Sequence, residues 1–380
     1  MDYLLNEEQI MMRDMAREFA EKEIKSYSQD IDITGEIPES LFEQMVELGF
    51  TGVGVPEEYG GSGGDLIDKL LIIYELAKID GSVASTLSVH SVFSDLLLNF
   101  GNDNQKNRYL PEVTSGGKVG AFALTEPGAG SDASAVRMTA KYDEENEEYI
   151  LNGTKCFISG GSKAKYIVVI ALTNPELKSK GLSAFIFDTD TEGFSVGKIE
   201  NKMGIRGSDT AELVFNNCKV PKSCLIGVEG RGFNYALSTL DNARISIAAM
   251  ACGLASGSLE QAVVYSKQRK QFGKPISELQ GIQWYIAEMA TKTEAAKLLT
   301  LSAAKKALLG ERHSVEASMA KWASSVVARE VTNLSLQIHG GYGYMKDFPI
   351  ERMYRDAKIT EIYEGTSEIQ KLVISRSILK

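Results

Sequence analysis

The sequence predicts a mostly α-helical protein with a central β domain. Apolar residues recur at helical spacing in the N-terminal region, short β-branched and aromatic runs replace that pattern near Val119, and the helical period returns after Gly232. A chain of 380 residues is also longer than one hydrophobic core usually organises. We therefore expect three domains, spanning residues 1–118, 119–232 and 233–380.

The N-terminal region shows the pattern of amphipathic helices. Ile10, Met11, Met15 and Phe19 recur at helical spacing, and the same period continues in the later run LIDKLLIIYELAKI. Between them lies GFTGVGVPEEYGGSGGD, whose glycines are not framed by a strand and a helix in the order of a nucleotide-binding loop. We expect this segment to be a connecting loop.

The middle region contains runs that are typical of β-strands: AFALTE, EYILNGTKCFIS, YIVVIALT, LSAFIFDTD and AELVFNNCKVP. No helical segments separate these runs, which disfavours a doubly wound parallel sheet. Asn152-Gly153 lies between two apolar stretches and predicts a β-hairpin, because the favoured tight turn needs positive φ at both central positions.

The C-terminal region predicts three long helices, at about 233–269, 280–309 and 314–338. Long amphipathic helices with short connections imply an antiparallel bundle. The second helix is apolar around much of its circumference, which indicates packing against another subunit as well as its own core. The uncharged stretch ISIAAMACGLASGSL is too short to span a bilayer, and we expect it to be a buried helix.

Composition excludes several classes of function. The net charge of -10 and the scattered Lys and Arg residues argue against a nucleic-acid partner. The four cysteines form no C-x-x-C pair, which favours a reducing compartment, and the acidic N-terminal segment has no signal-peptide pattern. We expect a cytoplasmic protein without a membrane span. His90, His313 and His339 lie far apart, so no metal site is predicted, and no serine-hydrolase elbow is present.

Several polar and glycine-containing segments are candidates for ligand binding. In ALTEPGAGSDAS, Gly128 and Gly130 allow close approach of a ligand, while Thr125, Ser131 and Asp132 supply short polar groups. A plain turn is equally compatible with this segment. CFISGG would suit a flat ring system, or it simply ends a strand.

Two groups of cations also have both a functional and a structural interpretation. Arg206 lies in the glycine-containing stretch KMGIRGSDT, and Arg269, Lys270 and Lys274 lie just past a predicted helix. Such cations suit phosphates, and Arg269 can contact one through two hydrogen bonds. They also suit the C-terminal end of a helix dipole.

Taken together and in order, five motifs resemble those of the acyl-CoA dehydrogenase family: T-E-P-G-A-G-S-D, K-M-G-I-R-G-S-D-T, R-K-Q-F-G-K, Q-I-H-G-G-Y-G-Y and I-Y-E-G-T. The resemblance covers essentially the whole chain. It implies a helical domain, a β domain and a four-helix bundle, a homotetramer with one FAD per subunit, an acyl-CoA substrate and an electron-transfer flavoprotein as partner.

The resemblance also implies which residues contact the cofactor. The isoalloxazine ring would be lined by Phe122, Leu124, Thr125, Phe157 and Ser159. Other parts of FAD, including that of a neighbouring subunit, would be contacted by Arg269, Phe272, Gln337, Gly341, Thr366 and Glu368.

On the substrate side, the resemblance implies that Ser131 and Arg244 contact the CoA moiety and that Asp241 contacts its pantetheine or adenine part. Gly365 would let the chain pass close to the substrate. The stretch Ser367-x-x-Gln370 is expected to cap the last helix.

Glu364 is implied as the base that removes the α-proton of the acyl thioester, with its own N–H as part of the oxyanion hole. The family's alternative position for this base is occupied by Ala243. This pattern resembles the short- and medium-chain enzymes, and short-chain butyryl-CoA dehydrogenases in particular.

The acyl group and the direction of reaction stay open. A short straight chain is the leading expectation, but Asp95 and Leu96 stand where the family usually has Gly-Pro. The carboxylate of Asp95 suggests a branched, cyclic or aromatic acyl group unless it faces solvent or caps a turn. A glutaryl group is disfavoured because STLSVHSVF contains no arginine. An enoyl-CoA reductase, an oxidase and a non-catalytic acyl-CoA-binding scaffold are the remaining alternatives.

Overall fold

The computed structural model describes residues 4–380; residues 1–3, with which the first predicted domain begins, lie outside the described part. The predicted fold class is confirmed: helices come first, a sheet follows, and a second set of helices completes the chain. The N-terminal helices are α1 (Glu7–Phe19), α2 (Lys25–Thr34), α3 (Glu39–Glu47), α4 (Leu66–Ala77), α5 (Gly81–Phe100) and α6 (Asp103–Thr114).

Short polar side chains explain where these helices begin. Asn6 and Asn102 each accept from the backbone N–H three residues later, and Gln9 and Gln105 bond back to the cap residue's N–H. Asp65 and Asp80 cap α4 and α5 in a similar way. The glycine-rich segment between α3 and α4 contains only short 3₁₀ turns and one isolated bridge, as expected of a connecting loop.

The middle of the chain forms one eight-stranded sheet. Its strands are β1 (Val119–Ala123), β2 (Thr139–Asp143), β3 (Glu148–Ser159), β4 (Ala164–Leu172), β5 (Leu182–Asp188), β6 (Phe194–Ile199), β7 (Thr210–Pro221) and β8 (Leu225–Ile226). They run in the order β6-β7-β3-β2-β4-β5-β8, with β1 beside β4. Most pairs are antiparallel, while β1 and β2 both run parallel to β4.

The predicted turn at Asn152-Gly153 is wrong. Both residues lie inside β3, and the β2–β3 hairpin turns instead between Asp143 and Glu148. At Gly153 the register with β7 shifts, and an added Cβ would lie 2.8 Å from the Met138 Cβ. Glycine is needed here for a bulge and a close neighbour, which a local turn signal cannot distinguish from a hairpin.

The C-terminal helices are α7 (Gly232–Gln268), α8 (Gln280–Leu308), α9 (Ser314–His339), α10 (Ile350–Ile359) and α11 (Ser367–Ile378). A two-stranded hairpin, β9 (Lys270–Gln271) and β10 (Lys274–Pro275), connects α7 to α8. The three long helices lie where the periodicity predicted them. They pack against one another, and α7 also packs against α4 and α5.

The predicted buried helix is the centre of α7, whose small residues are almost all inaccessible to solvent. Within residues 4–380, α7 is the one helix long and apolar enough to meet a membrane-span criterion, and most of it is buried inside the protein. All four cysteines are buried and unpaired with one another.

Small residues let α7 approach α4 closely. A Cβ added to Gly253 would lie 2.4 Å from the Tyr74 carbonyl oxygen, and one added to Gly257 would lie 2.2 Å from the Lys78 carbonyl oxygen. Because backbone atoms cannot move aside as a flexible side chain can, these two glycines determine how near the N-terminal helices sit to the bundle.

Replacing Gly257 with alanine should therefore destabilise the protein, although alanine is the better helix former. We expect the free energy of unfolding to fall by about 2 kcal/mol, the usual scale of overpacking. Urea unfolding followed by circular dichroism measures the change. Gly281 of α8 is the matched control, since its added Cβ meets no atom within 4 Å. Equal stability of the two variants would contradict this packing argument.

The KMGIRGSDT loop is bonded to helices from both ends of the chain. The Ile205 N–H donates to Asp356 Oδ1 of α10 at 2.5 Å, and the Gly207 N–H donates to Ser82 Oγ of α5 at 3.2 Å. Burial, together with the neighbouring Asp80 carboxylate, raises the pKa of Asp356 to about 7. These two hydrogen bonds connect the sheet region to both the N-terminal and the C-terminal helices.

Candidate functional site

The turn that carries Glu364 connects α10 to α11 and has an uncommon backbone. Glu364 has φ of 54° and Gly365 has φ of 90°, so both lie in the left-handed region. For a residue other than glycine this conformation costs about 1 to 3 kcal/mol and persists only when its surroundings hold it. Backbone strain at a carboxylate is a feature of functional sites.

Two buried side chains hold this turn. Gln370 Nε2 donates to the carbonyl oxygens of Glu364 at 3.1 Å and Gly365 at 2.8 Å. Lys321 Nζ, from α9, donates to the Gly365 carbonyl oxygen at 2.7 Å. The turn is thus held from both α9 and α11.

Glu364 is half-buried, and the cations Arg244 and Lys321 act on its carboxylate. Burial raises its pKa, while the positive charges of Arg244 and Lys321 partly oppose that effect. Its neighbour Tyr363 is packed inward, with its hydroxyl 3.0 Å from Met250 Sδ. A carboxylate whose pKa is raised is better matched to accept a proton near neutral pH.

Arg244 and Asp241 both lie on α7, and the positive charge of Arg244 acts on the Glu364 carboxylate. Arg244 Nη1 donates to Asp241 Oδ1 at 2.7 Å, and Ser314 Oγ donates to Asp241 Oδ2 at 2.5 Å. The Arg244 Nε is buried without a protein acceptor. This free donor is compatible with a ligand contact, which stays a prediction for both residues. Ala243, at the alternative base position, is buried.

A second part of the site is formed where β1 ends beside β3. Lys155 Nζ donates to the Leu124 carbonyl oxygen at 2.9 Å and to Glu126 Oε1 at 2.8 Å. The Cys156 N–H donates to the Thr125 carbonyl oxygen at 2.9 Å. These bonds bring together the two segments predicted to line the isoalloxazine ring, which contain Phe122, Leu124, Thr125, Phe157 and Ser159.

Phe157 stands out on this surface. It has φ of 58°, it lies at a bulge in the β3–β7 pairing, and its side chain is 65% exposed. A large aromatic side chain held in a strained backbone and left open to solvent is compatible with stacking on a ligand.

The glycines of TEPGAGSD also leave room for a ligand. A Cβ added at Gly128 or Gly130 would meet no atom within 4 Å, so packing inside the protein does not require glycine there. Ser131 follows them and is exposed. The segment therefore fits a ligand that approaches the backbone closely, as a flavin or CoA phosphate would.

A third group of predicted residues surrounds the β9–β10 hairpin. Phe272 forms its turn with φ of 52° and is 90% exposed, and the Arg269 guanidinium lies 5.4 Å from the Tyr342 ring centre. A cavity of about 490 Å³ is lined by Arg269, Gly340, Gly341 and neighbouring residues. Neither glycine would meet an atom within 4 Å of an added Cβ, which leaves space for a ligand.

The remaining predicted cofactor residues lie at helix ends. Gln337 is exposed on the last turn of α9 and is not among the residues lining this cavity. The expected cap at Ser367 is wrong: Thr366 is the N-cap of α11, and its hydroxyl accepts from the Ile369 N–H at 3.4 Å. Gln370 bonds the Glu364 turn instead of a cap, and Glu368 is exposed.

The sequence reasoning missed two buried lysines that organise the site, Lys321 and Lys155. Lys321 had a detectable signal, because it shares a helix face with Ala317, Ser324 and Ala328, which are all buried. Lys155 offered none beyond its position in a strand, since its partner Glu126 is distant in sequence.

Asp95 neither faces solvent nor caps a turn. Its Oδ1 lies 2.7 Å from Lys69 Nζ of α4, and both side chains are largely buried. The proposed link between Asp95 and an unusual acyl group stays a prediction.

Each of the three histidines lies within hydrogen-bond distance of another part of the protein. His90 Nε2 lies 2.8 Å from the Val113 carbonyl oxygen, His339 Nδ1 lies 2.8 Å from the Ser335 carbonyl oxygen, and His313 Nε2 lies 2.9 Å from Asn242 Oδ1. Across the described part of the chain, no group of three or more His, Cys, Asp or Glu residues could hold a metal ion.

Comparison with family models matches three consecutive parts of the chain. Residues 6–117 match the acyl-CoA dehydrogenase N-terminal domain, residues 121–218 match the middle domain, and residues 230–379 match the C-terminal domain.

Individual relatives match over nearly their whole lengths. The chain is 53% identical to an acryloyl-CoA reductase (NADH) of Anaerotignum propionicum, covering 100% of this chain and 96% of the relative. It resembles the structure of butyryl-CoA dehydrogenase from Megasphaera elsdenii with a TM-score of 0.96 and 42% identity, covering 99% of each chain. A structure described for the electron-transferring flavoprotein of Acidaminococcus fermentans and flavin-based electron bifurcation matches at a TM-score of 0.97 and 47% identity, covering 100% of each chain.

Proposed function

This chain belongs to the acyl-CoA dehydrogenase family of oxidoreductases that act on CH–CH bonds, and we propose that it converts a short-chain acyl-CoA to the trans-2-enoyl-CoA. The observation that carries the proposal is the Glu364 turn: a carboxylate with a raised pKa, in a strained conformation held by two buried donors.

In this proposal Glu364 removes the α-proton of the acyl thioester. An α-proton is weakly acidic, so the base must be positioned against it and the developing charge on the thioester oxygen must be stabilised. Within residues 4–380 the Glu364 N–H donates to no protein acceptor, which leaves it free to bond that oxygen. Burial of Glu364 supports the role, because it raises the pKa of the carboxylate and so makes it a stronger base.

The residues present fit FAD as the cofactor. A flat ring has room beside Thr125, because Gly128 and Gly130 have no neighbouring atoms near an added Cβ and Phe157 is exposed. A phosphate could bind the cation Arg269, which lines the same cavity as Gly341. When bound, FAD would accept the β-hydrogen as hydride. The chain's own contribution is to hold the ring, exclude water and position the Glu364 carboxylate next to the α-proton of the substrate.

The cofactor set also includes Phe122, Leu124, Ser159, Phe272, Gln337, Thr366 and Glu368, and the substrate set includes Ser131, Asp241, Arg244 and Gly365, all as proposed contacts. The substrate contacts rest on the family resemblance and on the free Arg244 Nε.

We further propose a homotetramer in which subunits share cofactor sites. On α8 the exposed side chains include Trp284, Tyr285, Leu298 and Leu299, more apolar surface than a solvated helix usually carries. The exposed Phe272 beside the open cavity at Gly341 is compatible with a ligand held between subunits. A cytoplasmic location and an electron-transfer flavoprotein as electron acceptor complete the proposal, the latter supported by the structural relative described for such a flavoprotein.

A second candidate function is the reverse reaction, reduction of a 2-enoyl-CoA at the same site. The 53% identity to an acryloyl-CoA reductase favours it. Glu364 would then return a proton to the α-carbon, which the same geometry permits, and the direction would depend on the potentials of the electron partners.

Anaerobic titration of the FAD-loaded protein tests both candidates. We expect butyryl-CoA to bleach the flavin more completely than hexanoyl-, isobutyryl-, cyclohexanecarbonyl- or 3-phenylpropanoyl-CoA. Reoxidation of dithionite-reduced protein by crotonyl-CoA measures the reverse reaction. Protein that binds no FAD after reconstitution would refute the proposal and favour a non-catalytic scaffold. Peroxide formation at the rate of substrate consumption would indicate an oxidase.

A further inference from the structure

We infer that Lys321 of α9 is a positioning residue for Glu364: it holds the Glu364–Gly365 turn through a hydrogen bond and supplies a positive charge that favours the ionised base. The inference rests on the proposed role of Glu364 and assigns a function to a residue outside the motifs that carry the family resemblance.

The first argument is the burial of this lysine. Lys321 is 0% exposed, and a lysine is almost never fully buried unless its charge is paired. Within the described residues no carboxylate oxygen lies at ion-pair distance from Lys321 Nζ, which donates to the Gly365 carbonyl oxygen at 2.7 Å. A charge buried at such cost for one neutral acceptor calls for a functional explanation.

The second argument is where that bond falls. Gly365 follows the proposed base directly, and both residues have left-handed backbones. Holding the Gly365 carbonyl fixes the orientation of the peptide next to Glu364, so movement of Lys321 would move the carboxylate. Because a displacement of the reacting group by about 1 Å can cost about 10²-fold in rate, this restraint matters for catalysis.

The third argument is electrostatic and involves every charge facing the pair. Arg244 from α7 and Lys321 from α9 both oppose the rise in the pKa of Glu364 that burial causes. Around Lys321, burial lowers its pKa to about 7, Glu364 raises it, Arg244 lowers it, and Glu361 and Glu368 raise it. The ammonium form is therefore present mainly below about pH 7, where it keeps Glu364 ionised as the pH falls.

Gln370 separates the two contributions of Lys321. It donates to the same Gly365 carbonyl oxygen, at 2.8 Å, and is equally buried, but it carries no charge. Loss of Gln370 should loosen the turn without changing the field at Glu364. Loss of Lys321 should do both.

The test is the pH profile of flavin reduction by butyryl-CoA in FAD-loaded tetramer, measured anaerobically by stopped flow. For Lys321→Met and Lys321→Gln we expect the acid limb to move up by about one pH unit, since removing a nearby opposite charge raises the pKa of a carboxylate. Lys321→Arg, which keeps the charge, should retain the wild-type limb. Gln370→Met should reduce the rate while leaving the limb in place.

An acid limb unchanged in the flavin-loaded Lys321→Met and Lys321→Gln variants would overturn the inference, even if their rates fell. Failure of both variants to load flavin, while Gln370→Met loads normally, would show that the role is structural only and would also overturn it. Glu364→Gln, measured in parallel, distinguishes failure of the proposed base from failure of the role of Lys321. Flavin reduction that survives in Glu364→Gln would refute the proposed base itself.

Discussion

Glu364→Gln should yield a flavin-loaded protein that butyryl-CoA no longer reduces at an appreciable rate. Glutamine keeps the size of the side chain and the backbone restraints from Lys321 and Gln370, but it cannot accept the α-proton. Because general-base catalysis contributes about 10²- to 10⁴-fold, we expect the rate of flavin reduction to fall by about 10³-fold. Anaerobic stopped-flow absorbance of the flavin measures it.

The exposed Glu311, in the turn between α8 and α9, provides the control. Glu311→Gln should reduce at the wild-type rate, since it removes an equal charge from a side chain that is exposed to solvent. A Glu364→Gln variant that bleaches normally would exclude Glu364 as the base, and Ala243 would then leave the alternative family position unable to serve.

Lys155→Met should strongly destabilise the middle of the chain. Lys155 is fully buried and contacts Glu126 Oε1 and the Leu124 carbonyl oxygen. Removing it leaves the buried Glu126 carboxylate without its cation, which costs about 3 to 5 kcal/mol. We also expect weaker FAD binding, because the same bonds align the segments that carry Thr125 and Phe157. Chemical unfolding and flavin retention on gel filtration measure the two effects.

The Glu126 carboxylate also accepts from the backbone N–H groups of Arg137 at 2.8 Å and Met138 at 3.0 Å. Removing its charge tests whether the unpaired carboxylate causes the loss of stability in Lys155→Met. The double variant Lys155→Met, Glu126→Gln should recover part of the stability that Lys155→Met loses, since no unpaired charge remains buried. The recovery should be incomplete, because the amide of glutamine has one acceptor oxygen for the two backbone N–H groups. The exposed pair Lys165–Asp190 is the control, and Lys165→Met should not change stability measurably. Equal losses at Lys155 and Lys165 would contradict the buried-pair argument.

Much of the fold could be predicted because its signals are periodic. The long helices α7, α8 and α9 begin and end within a few residues of the predicted bounds, since their apolar faces repeat over many turns. Asn152-Gly153 shows the limit of local signals. The pair satisfies a turn preference, but the neighbouring strands and Met138 make it a bulge within β3. The domain boundaries at residues 118 and 232 stay predictions.

The candidate site, like the fold, could be predicted from the sequence only in part. Glu364 could be proposed as the base because its motif, and the alanine at the alternative position 243, lie in the sequence itself. The cap of α11 was assigned to Ser367 rather than Thr366, because the two hydroxyl residues are adjacent and only the backbone conformation selects one. Gln370 then proved to hold the Glu364 turn.

The amino-acid sequence was sufficient for the class of fold, the family and the candidate base, because periodicity and motif order are properties of the chain in one dimension. Which buried charges meet depended on the folded chain. Lys321 is 44 residues from Gly365 and Lys155 is 29 residues from Glu126, so no local pattern links them. Their contacts exist because α9 packs beside the Glu364 turn and β3 beside the end of β1, and packing also determines how far each charge loses its solvent.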